Sequence, residues 1–217
     1  ECIASRILAT GLDLLSTSFP SSSLHSTTLA SLGDKSSSNN YINLHCQALV
    51  QWSLGQWAKA TNTWEQILVL YPFDIMALKF VNDAYFCTGE RDMLRDSVAR
   101  VLPIWENSLD RPLKSYLYGM YSFGLVETNM IERAEEQARI GLEMNPNDAW
   151  ATHTLVHAYD YVGDAEKGNE FLRRTYQDWQ QCDMIKKHID WHQALYDIEQ
   201  GNNEIAEKFL SSYLSTK

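Results

Sequence analysis

Large apolar residues recur along the chain at steps of three and four, the spacing that keeps side chains on one face of a 3.6-residue helix. No alternation of apolar and polar positions bounded by turn residues occurs, so no sheet is expected. Gly55, Gly89, Asn129, Gly163 and Gly201 each close an aromatic-rich helical stretch, at intervals of 34, 40, 34 and 38. Gly or Asn at such a place supplies the left-handed backbone that ends one helix and lets the next fold back against it. The pattern therefore predicts antiparallel helix pairs. First helices run over roughly 41–54, 75–88, 114–128, 149–162 and 187–200, and their partners over 57–70, 91–104, 131–144, 165–180 and 203–214.

Other positions fall into the same register. A small residue recurs five after the turn at Ala60, Ala134, Gly168 and Ala206, where the second helix must press close to the first. Pro72 and Pro146 each lie seventeen after a turn residue, where a residue without an N–H ends the second helix. An interval of 34 is the tetratricopeptide period. The expected fold is all-α: antiparallel helix-hairpin repeats of tetratricopeptide type, stacked into a right-handed superhelix whose first helices line the inner groove. The expected organisation is a helix within 1–15 from a preceding repeat-like hairpin, a linker over 16–40 containing ten serines, and an array of about five hairpins over 41–217. The extra residues around 107–113 and 180–186 are expected as longer inter-repeat loops.

Composition narrows the partners. At 45% hydrophobic and 12% aromatic the chain can bury a substantial core, while a net charge of −10 works against nucleic acid and anionic membrane. No apolar run approaches the roughly 20 residues that would cross a bilayer. Cys2, Cys46, Cys87 and Cys182 lie far apart with no CxxC pair, which predicts reduced, mostly buried thiols in a cytoplasmic protein. The chain opens on Glu1 and stops within an amphipathic helix, so flanking sequence is expected at both ends.

On each first helix, residues thirteen, ten, six and three before the turn share one face. These are Ile42, His45, Leu49 and Trp52; Met76, Lys79, Asp83 and Phe86; Tyr116, Gly119, Phe123 and Val126; Trp150, His153, His157 and Asp160; and His188, Trp191 and Leu195. An aromatic lining with a few convergent polar groups describes a peptide or ligand groove. The carboxylate clamp that grips chaperone C-terminal tails needs Lys, Asn and Arg, but the corresponding positions hold His45, Leu49, Phe80, Tyr116 and Met120. A chaperone tail is therefore excluded as the expected partner.

His153/His157 and His188/His192 form two i,i+4 pairs on consecutive first helices, a spacing used to hold zinc or another divalent metal, with Asp160 or Asp83 as polar partners. Histidine beside carboxylate equally suits a general base, and the same rings could be buried polar residues without chemistry. His192, beside Trp191, falls off the inferred stripe. Phosphate loops, a GxSxG elbow and Rossmann glycines are absent, so whether the chain is an enzyme stays open.

The segments Trp64-Glu65-Gln66-Ile67-Leu68, Asp83-Ala84-Tyr85-Phe86, Arg95 to Pro103, Tyr121 to Leu125 and Asn145 to Trp150, with the four histidines, resemble the tetratricopeptide repeat protein 38 family. The resemblance covers Tyr41 to Tyr213, and Arg6 to Leu15 resembles the end of a hairpin that precedes the array in that family. It implies an all-α array in a longer protein and brings no well-established activity. Family members usually carry Glu at the position of Asp160 and His at that of Asn82. The leading expectation is an interaction scaffold taking a protein or peptide in its groove. The alternative is an enzyme or a small-molecule or metal-binding protein using the histidine cluster.

Overall fold

The computed structural model describes residues 3–15, 40–108 and 113–215. Among these residues it contains helices and turns and no strand. The helices are α1 (Ile3–Leu15), α2 (Asn40–Ser53), α3 (Trp57–Leu70), α4 (Ile75–Thr88), α5 (Arg91–Glu106), α6 (Lys114–Glu127), α7 (Ile131–Met144), α8 (Ala149–Val162), α9 (Ala165–Arg174), α10 (Tyr176–Trp179), α11 (Asp183–Glu199) and α12 (Asn203–Ser215). Most bounds lie within a residue or two of those expected from the turn spacing. The serine-rich segment lies outside the described residues.

The chain divides into two units, Glu1–Arg111 and Pro112–Lys217. In each, first and second helices alternate as antiparallel pairs. All five turn residues have positive φ, from 60° at Asn129 to 78° at Gly201, a region that glycine enters freely and asparagine more readily than most. At Gly89 and Gly163 the left-handed residue sends its own N–H back to the last carbonyls of the preceding helix, closing its open end.

In the N-terminal unit, Trp64 of α3 packs on Phe80 of α4 with ring centroids 5.9 Å apart, and both are buried. Trp105 donates its indole N–H to the Pro72 carbonyl at 2.8 Å, tying α5 to the α3–α4 turn. Within this unit α1 packs on α4: a Cβ on Gly11 would come within 2.2 Å of the Phe80 ring. In the C-terminal unit a core of Leu155, Val156, Tyr159, Phe171, Trp179 and Tyr196 joins α8 to α11. The small residues expected at the hairpin contacts are buried, with Ala60 and Ala134 fully so.

Two helices depart from expectation. The partner helix expected over 165–180 breaks at Thr175, whose hydroxyl donates to the Phe171 carbonyl, and the short α10 then turns the fully buried Trp179 into the core. α11 starts at Asp183, four residues earlier than expected, because Ile185 extends the buried stripe that continues through Ile189 and Tyr196. The loop expected over 180–186 is correspondingly shorter. Among the described residues there is no disulfide; Cys46 is buried as expected, but Cys87 is exposed and Cys182 half-buried.

Candidate functional site

Repeat-equivalent positions on the first helices do different work. His45, ten residues before its turn glycine, is fully buried and meets Asp74 through Nε2 at 2.8 Å. Asp74 in turn accepts the Ala77 N–H at 2.9 Å and so caps the start of α4. Burial pushes the Asp74 pKa upward, but hydrogen bonding and charge from His45 outweigh it and leave the carboxylate below its ordinary value. The equivalent aspartate of the C-terminal unit, Asp148, caps α8 by accepting from Trp150 and Ala151 through Oδ1 at 3.1 and 3.2 Å. Its counterpart to His45 is Gly119, where a Cβ would lie 2.5 Å from Asp148 Oδ2. Oδ2 is buried without a partner, and burial raises the Asp148 pKa to about 6.

Lys79 and Asp83, both candidates from the sequence, form an i,i+4 ion pair on α4 in the N-terminal unit. The carboxylate that reaches the histidines is Asp160.

Within the C-terminal unit, α6, α8 and α11 bring one set of aromatic and imidazole rings together. Phe123 lies 5.1 Å from Trp150, 5.3 Å from His153 and 6.2 Å from His157, centroid to centroid. His153 lies 4.7 Å from His188 and 5.4 Å from His192. One nitrogen from each of His153, His157, His188 and His192 can be chosen so that all four lie within 4.8 Å of one another. His157 Nε2 sits 2.8 Å from His153 Nε2, and His192 Nε2 sits 3.2 Å from His188 Nε2.

His192 departs most from expectation. α11 is rotated so that His192 faces α8 and is 7% exposed, whereas Trp191 is 43% exposed. His192 Nδ1 meets Asp160 Oδ2 at 2.9 Å. A carboxylate only accepts, so Nδ1–H donates and a neutral ring carries its lone pair on Nε2, toward the other imidazoles. Asp160 thus orients His192. Tyr196, missed by sequence reasoning, lies beside Asp160 and donates its hydroxyl to the Val156 carbonyl at 2.7 Å. Its place four residues after His192 was the available signal.

The electrostatics favour neutral rings. Burial, followed by repulsion from the other three imidazoles, holds His153 well below the ordinary histidine value. Burial, then His192, lowers His157 to about 4 despite the opposing charge of Asp160; His188 is lowered by burial and His192. His153, His157 and His188 therefore offer lone pairs near neutrality. Tyr116 is 40% exposed and Trp150 half-buried, so the aromatic margin of this face is open to solvent.

In fold the chain is a tetratricopeptide-type helical repeat protein. No family model matches it. A crystal structure of MamA protein superposes with a TM-score of 0.53 at 16% identity, over 86% of this chain and 88% of that one. YrrB, described as a TPR protein with an unusual peptide-binding site, superposes with a TM-score of 0.51 at 14% identity, over 84% and 89%. No helix among the described residues is long and apolar enough to cross a membrane.

Proposed function

We propose that the chain is an interaction scaffold that holds a peptide or a segment of a partner protein on the first-helix face of its C-terminal unit. The observation that supports it most is the set of aromatic side chains left open there: Tyr116 at 40% and Trp191 at 43% exposure, with the half-buried Trp150. Trp and Tyr are the residues that concentrate binding energy at interfaces, and folding alone gains nothing from leaving them in water. The described peptide-binding site of YrrB, on a related fold, supports the same reading. The net charge of −10 fits a neutral or basic partner, with no role for nucleic acid or membrane. Thiols at Cys46 and Cys87 suit a reducing, cytoplasmic setting. The quoted segments make the tetratricopeptide repeat protein 38 family the proposed kinship.

Peptides selected on the native chain from a random displayed library, and measured by titration calorimetry, test the proposal. Against Tyr116→Ala/Trp191→Ala, whose targets are exposed, affinity should fall by at least about tenfold with an unchanged melting temperature. Peptides that bind this variant as tightly as the native chain would refute the proposed surface.

A further inference from the structure

The imidazole cluster does more than line a binding face. Each of two successive first helices contributes an i,i+4 pair, and four ring nitrogens converge with no thiolate or carboxylate among them. As an apoprotein arrangement this is unfavourable. In each Nε2–Nε2 contact one ring must donate and the other accept, and protonating the rings to supply more donors places like charges together in a buried site. A divalent cation in place of those shared protons takes a lone pair from every ring, because neutral imidazole nitrogens are its donors.

We propose that His153, His157, His188 and His192 together bind one divalent transition-metal ion of the zinc type, which clamps α8 to α11. With Zn–N bonds of about 2.0–2.1 Å, tetrahedral ligands stand about 3.3 Å apart, so the widest spacing in the cluster closes with shifts of under about 1 Å per ring. The Asp160 carboxylate on His192 Nδ1 is the partner that commonly fixes a metal-ligating histidine in the right tautomer. His188 is exposed and gives the ion its way in, while Phe123 and Trp150 stack around His153 on the other side. Borderline late first-row ions match the all-nitrogen donor set; Mg2+ and Ca2+, which take oxygen ligands, do not. Four protein ligands fill a tetrahedral shell, the pattern of structural sites; catalytic zinc keeps a position open.

The full chain, stripped with chelator and dialysed, should take up one Zn2+ or one Co2+ in calorimetric titration. Co2+ should develop the visible ligand-field bands of a tetrahedral nitrogen site, and Zn2+ should raise the melting temperature. His188→Ala, at an exposed position, should keep its helical circular dichroism and lose the Co2+ bands and the zinc-dependent rise. Asp160→Asn should keep the site but weaken it about 10–100-fold. Absence of stoichiometric uptake by the native chain, or undiminished binding and spectra in a folded His188→Ala variant, overturns the proposal. Stoichiometric metal uptake by a chain that binds no selected peptide would leave the clamp standing while the scaffold reading falls.

Discussion

Replacing Gly168 by alanine sets two opposed effects against each other. In a helix interior, Gly→Ala normally stabilises by about 0.5–1 kcal/mol, through the lost backbone freedom of the unfolded chain. At Gly168 the added Cβ would lie 2.4 Å from Tyr196 Cζ, 2.6 Å from Cε2 and 2.7 Å from the hydroxyl oxygen. Carbon–carbon contact is comfortable only beyond about 3.5 Å, so ring and helix must separate by about 1 Å. Tyr196 has little room to retreat: it is 1% exposed, and its hydroxyl is committed to the Val156 carbonyl. Overpacking of this kind costs about 1–3 kcal/mol, which outweighs the backbone gain and predicts a net loss of about 1–2 kcal/mol. Urea denaturation, followed by helical circular dichroism, measures it as a lower midpoint at unchanged slope. In a Tyr196→Leu background the Gly168→Ala penalty should vanish, exposing the backbone gain. A Gly168→Ala protein more stable than native in the presence of Tyr196 would refute the close contact on which the reasoning rests.

Ala60→Trp and Ala134→Trp, each at a fully buried hairpin contact, should lower stability by at least about 1–3 kcal/mol in the same assay, and unchanged midpoints in both would contradict the hairpin packing. Asp148→Asn keeps a capping oxygen while removing a buried charge; because the folded pKa of Asp148 is raised from 3.8 to about 6, the native protein loses this contribution as pH rises through that window. The variant's stability relative to native should therefore increase between pH 4 and pH 7, and a difference that stayed flat across those pH values would show that Asp148 titrates normally. Phe80→Ala should release α1 as well as open a cavity, costing about 3–5 kcal/mol and raising hydrogen exchange in α1, whereas unaltered exchange there would show that α1 holds independently of Phe80.

The helix pairs were legible because local chemistry and fold agree at the turns. Gly55 and Gly163 each follow an aromatic-rich helical stretch, and glycine enters the left-handed conformation that ends a helix there without steric cost. The break at Thr175 was not legible, because Trp179 leaves the helical path to fill a core built by distant residues. His192 was misplaced for a related reason. Periodicity gives the angle between residues on one helix but not the rotation of that helix against its neighbour, and Trp191 and His192 are adjacent in that angle. Only the packing of Ile185, Ile189 and Tyr196 fixes the rotation that turns His192 toward Asp160. The unpartnered Oδ2 of Asp148 was hidden likewise: nothing in Asn147-Asp148-Ala149 says that the residue facing it is a glycine.

Ten residues before successive turns stand His45, Lys79, Gly119, His153 and Trp191: a partner for a helix cap, half of an ion pair, a surface that admits a carboxylate, a member of an imidazole centre and an open indole. The helices that carry them are set by other residues, at the turns and hairpin contacts. In a repeat protein each module answers mainly to its neighbours, so a substitution at this seat acts chiefly on the repeats beside it, as His153 meets Phe123 on one side and His188 on the other. The array is thus a row of separately editable seats on a common frame, and new chemistry can be written into one repeat without renegotiating the fold of the rest.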